Sequence, residues 1–145
     1  MTDIAPSRPL AMTMGEPAGI GLEIALAAHD VLRPADGPVF FLIADPALLR
    51  ARARRVGADT PVVEIDSPAD AADAFAEGLP VLALPAHRDL PDSPGRPTAG
   101  TAPAVLAAIG RAVDLALAGA AAAIVTLPIQ KETLYAAGFA GEGHT

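Results

Sequence analysis

Three stretches of the sequence bring together residue types able to do chemistry. Residues 13–24, TMGEPAGIGLEI, place Gly15, Gly19 and Gly21 between two apolar runs. A strand-to-helix loop without side chains exposes backbone N–H groups at a helix N-terminus, where the dipole favours an anion. The spacing G-x-x-x-G-x-G is neither the dinucleotide fingerprint G-x-G-x-x-G nor a Walker A sequence. The alternative is a tight turn in which glycine supplies a positive φ. Residues 124–131, IVTLPIQK, again run from a strand towards a helix and deliver Lys131, the single lysine of the chain. Its amine suits a phosphate, a carboxylate or proton transfer; otherwise it is a solvated surface group. Residues 141–145, GEGHT, set His144 between glycine and threonine. A histidine there can donate to a substrate oxygen, act as acid or base, bind a metal, or simply be exposed.

The remaining histidines, His29 in a helical stretch and His87 in a long loop, form no i, i+4 pair with another ligand type. Three scattered histidines make no zinc signature, and the absence of cysteine removes thiolate sites and disulfides. Arg50, Arg52, Arg54 and Arg55 form a basic cluster whose positions spread around one helix, which reads as a solvated face.

Positioning the three stretches requires alternating elements. Strands are expected over residues 9–14, 38–44, 61–65, 79–84 and 121–126. Helices are expected over 21–32, 46–56, 67–77, 101–119 and 130–137. Asp45 caps the second helix with Pro46 at its first position. Thr101 is expected to cap the longest helix, with Val105, Ile109, Val113 and Leu117 as its apolar stripe and Gly119 closing it. Residues 85–100, PAHRDLPDSPGRPTAG, read as a long loop. This alternation predicts a three-layer α/β fold with a mostly parallel sheet, whose strand C-terminal edge is where ligands bind.

With 145 residues the chain has enough material for one core. It is 52% hydrophobic but only 3% aromatic, so Ala, Val, Leu and Ile must fill that core. A net charge of -7 disfavours nucleic acid and anionic membrane as partners. No apolar run free of breakers suggests a membrane span and the first residues lack a secretory pattern, so a cytoplasmic location is expected. Nine arginines against one lysine, with very abundant alanine, indicate a compositional bias.

Taken together, the motifs resemble the 4-hydroxythreonine-4-phosphate dehydrogenase family of vitamin B6 biosynthesis. The family's G-[D/E]-P-A-G-I-G-P-E is matched by residues 15–23, its P-T-x-x-x-G region by the PTAGT of residues 97–101, and its T-x-P-[I/V]-x-K by residues 126–131. Ala137-Gly138 and then Gly143-His144-Thr145 match its A-G and G-H-T-E segments. Order and spacing agree from residue 9 to residue 145. Leu22 stands where the family usually has proline, and Leu127 where it usually has glycine or alanine.

The resemblance implies a fold similar to isocitrate and isopropylmalate dehydrogenases, with two α/β domains and a cleft completed at a homodimer interface. On that basis residues 1–125 belong to the first domain and 126–145 begin the second, both truncated. The implied reaction is NAD-dependent oxidation of a small phosphorylated hydroxy-amino acid, 4-phosphooxy-threonine, followed by decarboxylation. It is assisted by a divalent metal (zinc, magnesium or cobalt) held by histidines downstream of residue 145. The resemblance maps substrate binding to His144 and Thr145; Lys131 is assigned an anion or substrate contact. Gly15, Gly19 and Gly21 become a backbone wall of the cofactor or substrate cleft. Paralogues acting on a phosphorylated sugar acid or a cyclic diol carboxylate, and a non-catalytic α/β fragment, are the alternative expectations. The piece alone is expected to be inactive and to leave a sheet edge and apolar surface uncovered.

Overall fold

The computed structural model describes residues 7–140. Five strands, β1 (Leu10–Thr13), β2 (Phe40–Ile43), β3 (Val62–Ile65), β4 (Leu79–Leu82) and β5 (Ile124–Thr126), form one sheet in the order β3-β4-β2-β1-β5. Every pairing is parallel. The helices are α1 (Gly21–Leu32), α2 (Pro46–Arg55), α3 (Ala71–Glu77), α4 (Ala102–Leu117) and α5 (Lys131–Ala136). All four residues of β2, FFLI, are buried, as a strand covered on both faces requires.

Local chemistry sets several boundaries. The Asp45 carboxylate accepts from the Ala47 N–H at 3.1 Å, and Pro46 opens α2. Ser67 accepts from the Ala69 N–H and starts a single 3-10 turn, Pro68–Asp70, ahead of α3. Gly119, at φ +77°, closes α4 while Ala120 N–H returns to the Leu115 carbonyl. Thr101 departs from expectation. It sits in a 3-10 turn, Ala99–Thr101, and its hydroxyl donates to the Thr98 carbonyl at 3.0 Å instead of capping α4.

Half of the expected α4 stripe is covered, with Val105 buried and Ile109 partly buried in a small cluster with Ala102 and Leu134, but the face turned to the sheet is a different one. Ala104, Ala108, Ala112 and Leu115 pack against the sheet, whereas Val113 is partly exposed and Leu117 is 82% exposed. Small side chains let the helix lie close to β1 and β2, and that proximity selects the alanine face over the bulkier one. The helical run Ala99–Leu117 reaches the length and apolarity of a membrane span but contains Gly100, Pro103 and Gly110, and 39% of it is buried within the protein.

The winding places the site. The chain leaves β1 through α1 to reach β2 on one side. It then crosses from β4 through α4 to add β5 on the other side of β1. The β1/β5 boundary is therefore where the winding changes direction, and the crevice outside the carboxyl ends of such strands is the favoured ligand position in open α/β sheets. Among the described residues β5 pairs only with β1, and its Ile124 and Val125 are half-buried.

The alanine face gives a direct check. Ala112→Leu, at a fully buried position, should lower stability by about 1–3 kcal/mol through overpacking. Leu117→Ala should change it by less than about 0.5 kcal/mol. Urea unfolding midpoints of the two variants distinguish this packing from the Val105–Leu117 stripe.

Candidate functional site

The pairing of Thr13 with Thr126 sets the loops after β1 and β5 side by side. They are stitched together where the Glu16 N–H donates to the Pro128 carbonyl at 2.9 Å. Gly15 has φ +68°, and a Cβ there would lie 2.4 Å from the Pro128 oxygen. A Cβ at Gly21 would lie 2.7 Å from the Met14 carbonyl oxygen, where α1 starts against the end of β1. Both glycines are thus required by close backbone approach. Gly19 is less confined, with a Cβ there 3.3 Å from the Glu16 carbonyl oxygen, and it borders open space on its other side.

That space is a cavity of about 330 Å³ bounded by Glu16, Gly19, Ile20, Pro97, Ile129 and Gln130. It collects residues from the glycine loop, the 85–100 loop and the segment following β5. Larger hollows, of about 600 and 540 Å³, lie at the opposite, N-terminal edge of the sheet around Arg33 and His29. The fold argument favours the smaller cavity, which lies outside the carboxyl ends of β1 and β5. Lys131 begins α5 one residue beyond Gln130 and is exposed, beside the cavity and outside its lining. Gln130 is steadied by Thr133, whose hydroxyl donates to its side-chain oxygen. His144 and Thr145 lie outside the described residues.

Three amides of the glycine loop are already engaged within the protein. Glu16 N–H is taken by Pro128, Ala18 N–H by the Glu16 carboxylate at 3.1 Å, and Gly19 N–H by the Glu16 carbonyl at 2.9 Å. The Glu16 side chain is only 5% exposed, with the Thr101 hydroxyl 3.5 Å from the same carboxylate oxygen. The loop therefore carries its own anion. A ligand group bearing hydroxyl or N–H donors suits this lining better than a bare phosphate.

Arg52 overturns the reading of the basic cluster. Arg50, Arg54 and Arg55 are exposed as expected, but Arg52 is fully buried. Its Nη2 donates to the Pro17 carbonyl at 2.7 Å, and its Nη1 to the Gly19 carbonyl at 2.9 Å and to Glu23 at 2.8 Å. Its Nε donates to Asp92 at 2.9 Å. Composition suggested a solvated face; the planar fork instead meets two carboxylates and two carbonyls that a lysine could not serve together. Periodicity could have found it, since residues 48, 49, 52 and 53 share the buried face of α2.

The 85–100 loop is held at three points. Leu90 N–H donates to the second Asp45 oxygen at 2.9 Å, Asp92 joins Arg52 and Arg55, and Gly95 N–H donates to the Ala18 carbonyl at 2.8 Å. Leu22 and Leu127, the two departures from the family pattern, are buried in the core and do not line the cavity. His29 is a core residue. Its Nε2 donates to the Phe75 carbonyl at 2.9 Å, and its ring packs edge-on to Phe75. Among the described residues no group of three or more His, Cys, Asp or Glu could hold a metal ion.

Burial pushes the Asp92 carboxyl up, but the hydrogen bonds and charges of Arg52 and Arg55 outweigh it and hold the group below the usual carboxylate range. A depressed folded-state value means that Asp92 stabilises the fold above its unfolded value, about 3.9, and that this contribution is lost as pH falls through the lower folded value. Acid titration of stability should therefore show a component below about pH 4 that disappears in Asp92→Asn. Unfolding curves of both proteins between about pH 2 and 6 provide the check.

With this geometry in place, kinship is informative. The family described as pyridoxal phosphate biosynthetic protein PdxA matches residues 37–145. A 4-hydroxythreonine-4-phosphate dehydrogenase from Methylorubrum populi is 49% identical over 138 residues, covering 95% of this chain and 39% of that protein. The crystal structure of the Klebsiella pneumoniae 4-hydroxythreonine-4-phosphate dehydrogenase superposes with a TM-score of 0.80 at 34% identity, covering 95% of this chain and 42% of its own. The Burkholderia phymatum 4-hydroxythreonine-4-phosphate dehydrogenase structure gives 0.79 at 25% identity, covering 97% and 42%. This chain thus spans about two fifths of the length of the relatives it matches. The glycine loop, the strand–loop–lysine motif beside it and the parallel sheet that carries both belong to a member of the PdxA family.

Proposed function

We propose that this chain is the N-terminal part of an NAD- and divalent-metal-dependent dehydrogenase that oxidises 4-hydroxythreonine 4-phosphate in pyridoxal phosphate biosynthesis, the β-keto acid product then losing carbon dioxide. The observation that carries the reading is the meeting of the glycine loop and the residues 126–131 motif around one cavity at the β1/β5 switch point. In the whole protein, the first domain runs to about residue 125 and a second begins at 126. The enzyme is cytoplasmic and works as a homodimer, with no nucleic-acid or membrane partner.

Each part of the chain has a role in this reading. NAD, when bound, supplies the acceptor for the hydride leaving the substrate's hydroxyl-bearing carbon. Gly15 and Gly21 keep the loop narrow, and Gly19 with Glu16 and Gln130 faces the cofactor's hydroxylated part. Lys131 meets the substrate phosphate or carboxylate from the rim of the cavity. His144 and Thr145 complete the substrate contacts. Among the described residues no group of His, Cys, Asp or Glu fits a metal; in this reading the divalent metal is held by histidines of the full-length protein that follow residue 145.

Two outcomes are expected. The full-length protein should form NADH, followed by absorbance, with 4-hydroxythreonine 4-phosphate and not with a phosphorylated sugar acid or a cyclic diol carboxylate; residues 1–145 alone should form none. A preference for either non-amino substrate would replace the vitamin B6 assignment. Lys131→Ala in the full-length enzyme should raise KM for the phosphorylated substrate by about tenfold or more, because a hydrogen bond to a charged group contributes roughly 1.5–3 kcal/mol. An unchanged KM in steady-state kinetics would remove Lys131 from the site.

A further inference from the structure

We propose that Arg52 is a positioning residue for the cavity at the β1/β5 rim. It touches no ligand, yet it fixes both the glycine loop and the 85–100 loop that wall the cavity, so ligand binding depends on it. The inference rests on the dehydrogenase reading for the identity of the ligands, and on geometry alone for the mechanism.

The geometry is specific. Arg52 lies on α2 and reaches the glycine loop only from behind, through the carbonyls of Pro17 and Gly19. In a planar trans peptide the N–H points opposite to the C=O. Drawing the Pro17 carbonyl to Arg52 therefore turns the Ala18 N–H away from it, and that N–H holds the Glu16 carboxylate in the cavity lining. Drawing in the Gly19 carbonyl likewise turns the Ile20 N–H away from Arg52. Through its Nε the same guanidinium holds Asp92, three residues before Gly95, which also borders the cavity. Glu23 balances the charge from α1, and Arg55 shares Asp92. One buried fork thus sets which groups the cavity presents and how far apart its walls stand.

The test uses the full-length enzyme with Arg52→Lys, which keeps the charge but loses the fork, and Asp92→Asn, which loosens only the 85–100 wall. Arg55→Met, at an exposed partner of Asp92, is the control. Steady-state kinetics with NAD and 4-hydroxythreonine 4-phosphate are paired with hydrogen exchange of the backbone amides within residues 16–21 and of residues 95 and 96. Arg52→Lys should raise KM for at least one of the two by about tenfold or more while kcat stays within about threefold, and should speed exchange at 16–21 by about tenfold. Asp92→Asn should speed exchange at residues 95 and 96 and leave 16–21 near the parent rate. The proposal is overturned if Arg52→Lys, melting within a few degrees of the parent, leaves both KM values and the exchange of residues 16–21 unchanged. Should the parent form no NADH, the dehydrogenase reading fails separately and the exchange of Arg52→Lys decides the proposal. If Arg52→Lys does not fold, Asp92→Asn decides, and unchanged exchange at residues 95 and 96 in that variant is equally fatal.

Discussion

A single buried guanidinium organises the carboxyl edge of this sheet. Arg52 has no contact with water, and its fork is divided between the carbonyls of Pro17 and Gly19 and the carboxylates of Glu23 and Asp92. A buried positive charge is tolerated only when its donors are met and its charge is balanced. Two carboxylates, Glu23 and Asp92, meet that condition, Asp92 serving Arg55 as well, and the backbone carbonyls take the donors the carboxylates leave. In return three segments with little regular structure of their own are locked together: the glycine loop, the start of α1 and the middle of the 85–100 loop.

This constraint changes what the glycine loop does. The usual logic of such loops is a row of free amides facing an anion at a helix N-terminus. Here the amides of Glu16, Ala18 and Gly19 are engaged within the protein, and the loop's carbonyls are drawn backwards to α2. The loop is a rigid wall whose polarity is set from behind. Lys131 stands exposed at the start of α5, beside the cavity and outside its lining.

Much of the architecture was legible because it is local. β2 is an apolar run with breakers on both sides, Asp45-Pro46 is a cap followed by a first-turn proline, and Gly119 ends α4 with positive φ. The glycine loop and the segment from Thr126 to Lys131 were visible as strand-to-helix passages, and parallel pairing then brings them together. What escaped depends on contacts distant in sequence. Arg52 looked like one of four exposed arginines because its partners lie 29 to 40 positions away. The face that α4 buries was misjudged because hydrophobic size favours Val113 and Leu117, whereas closeness to the sheet favours alanine. Thr101 has the residue type of a cap, but the 3-10 turn before it redirects its hydroxyl. Leu22 and Leu127 occupy motif positions yet lie in the core, so the motif is partly a record of packing.

The tethering of the 85–100 loop has a kinetic side. A long segment such as residues 85–98, with neither strand nor helix, would ordinarily sample many shapes, and a partner arriving at it must first wait for, and then freeze, one of them. Anchors at Leu90, Asp92 and Gly95 divide this loop into arcs of only a few residues. Encounter with this wall is then governed by diffusion and fit, with little ordering entropy left to lose.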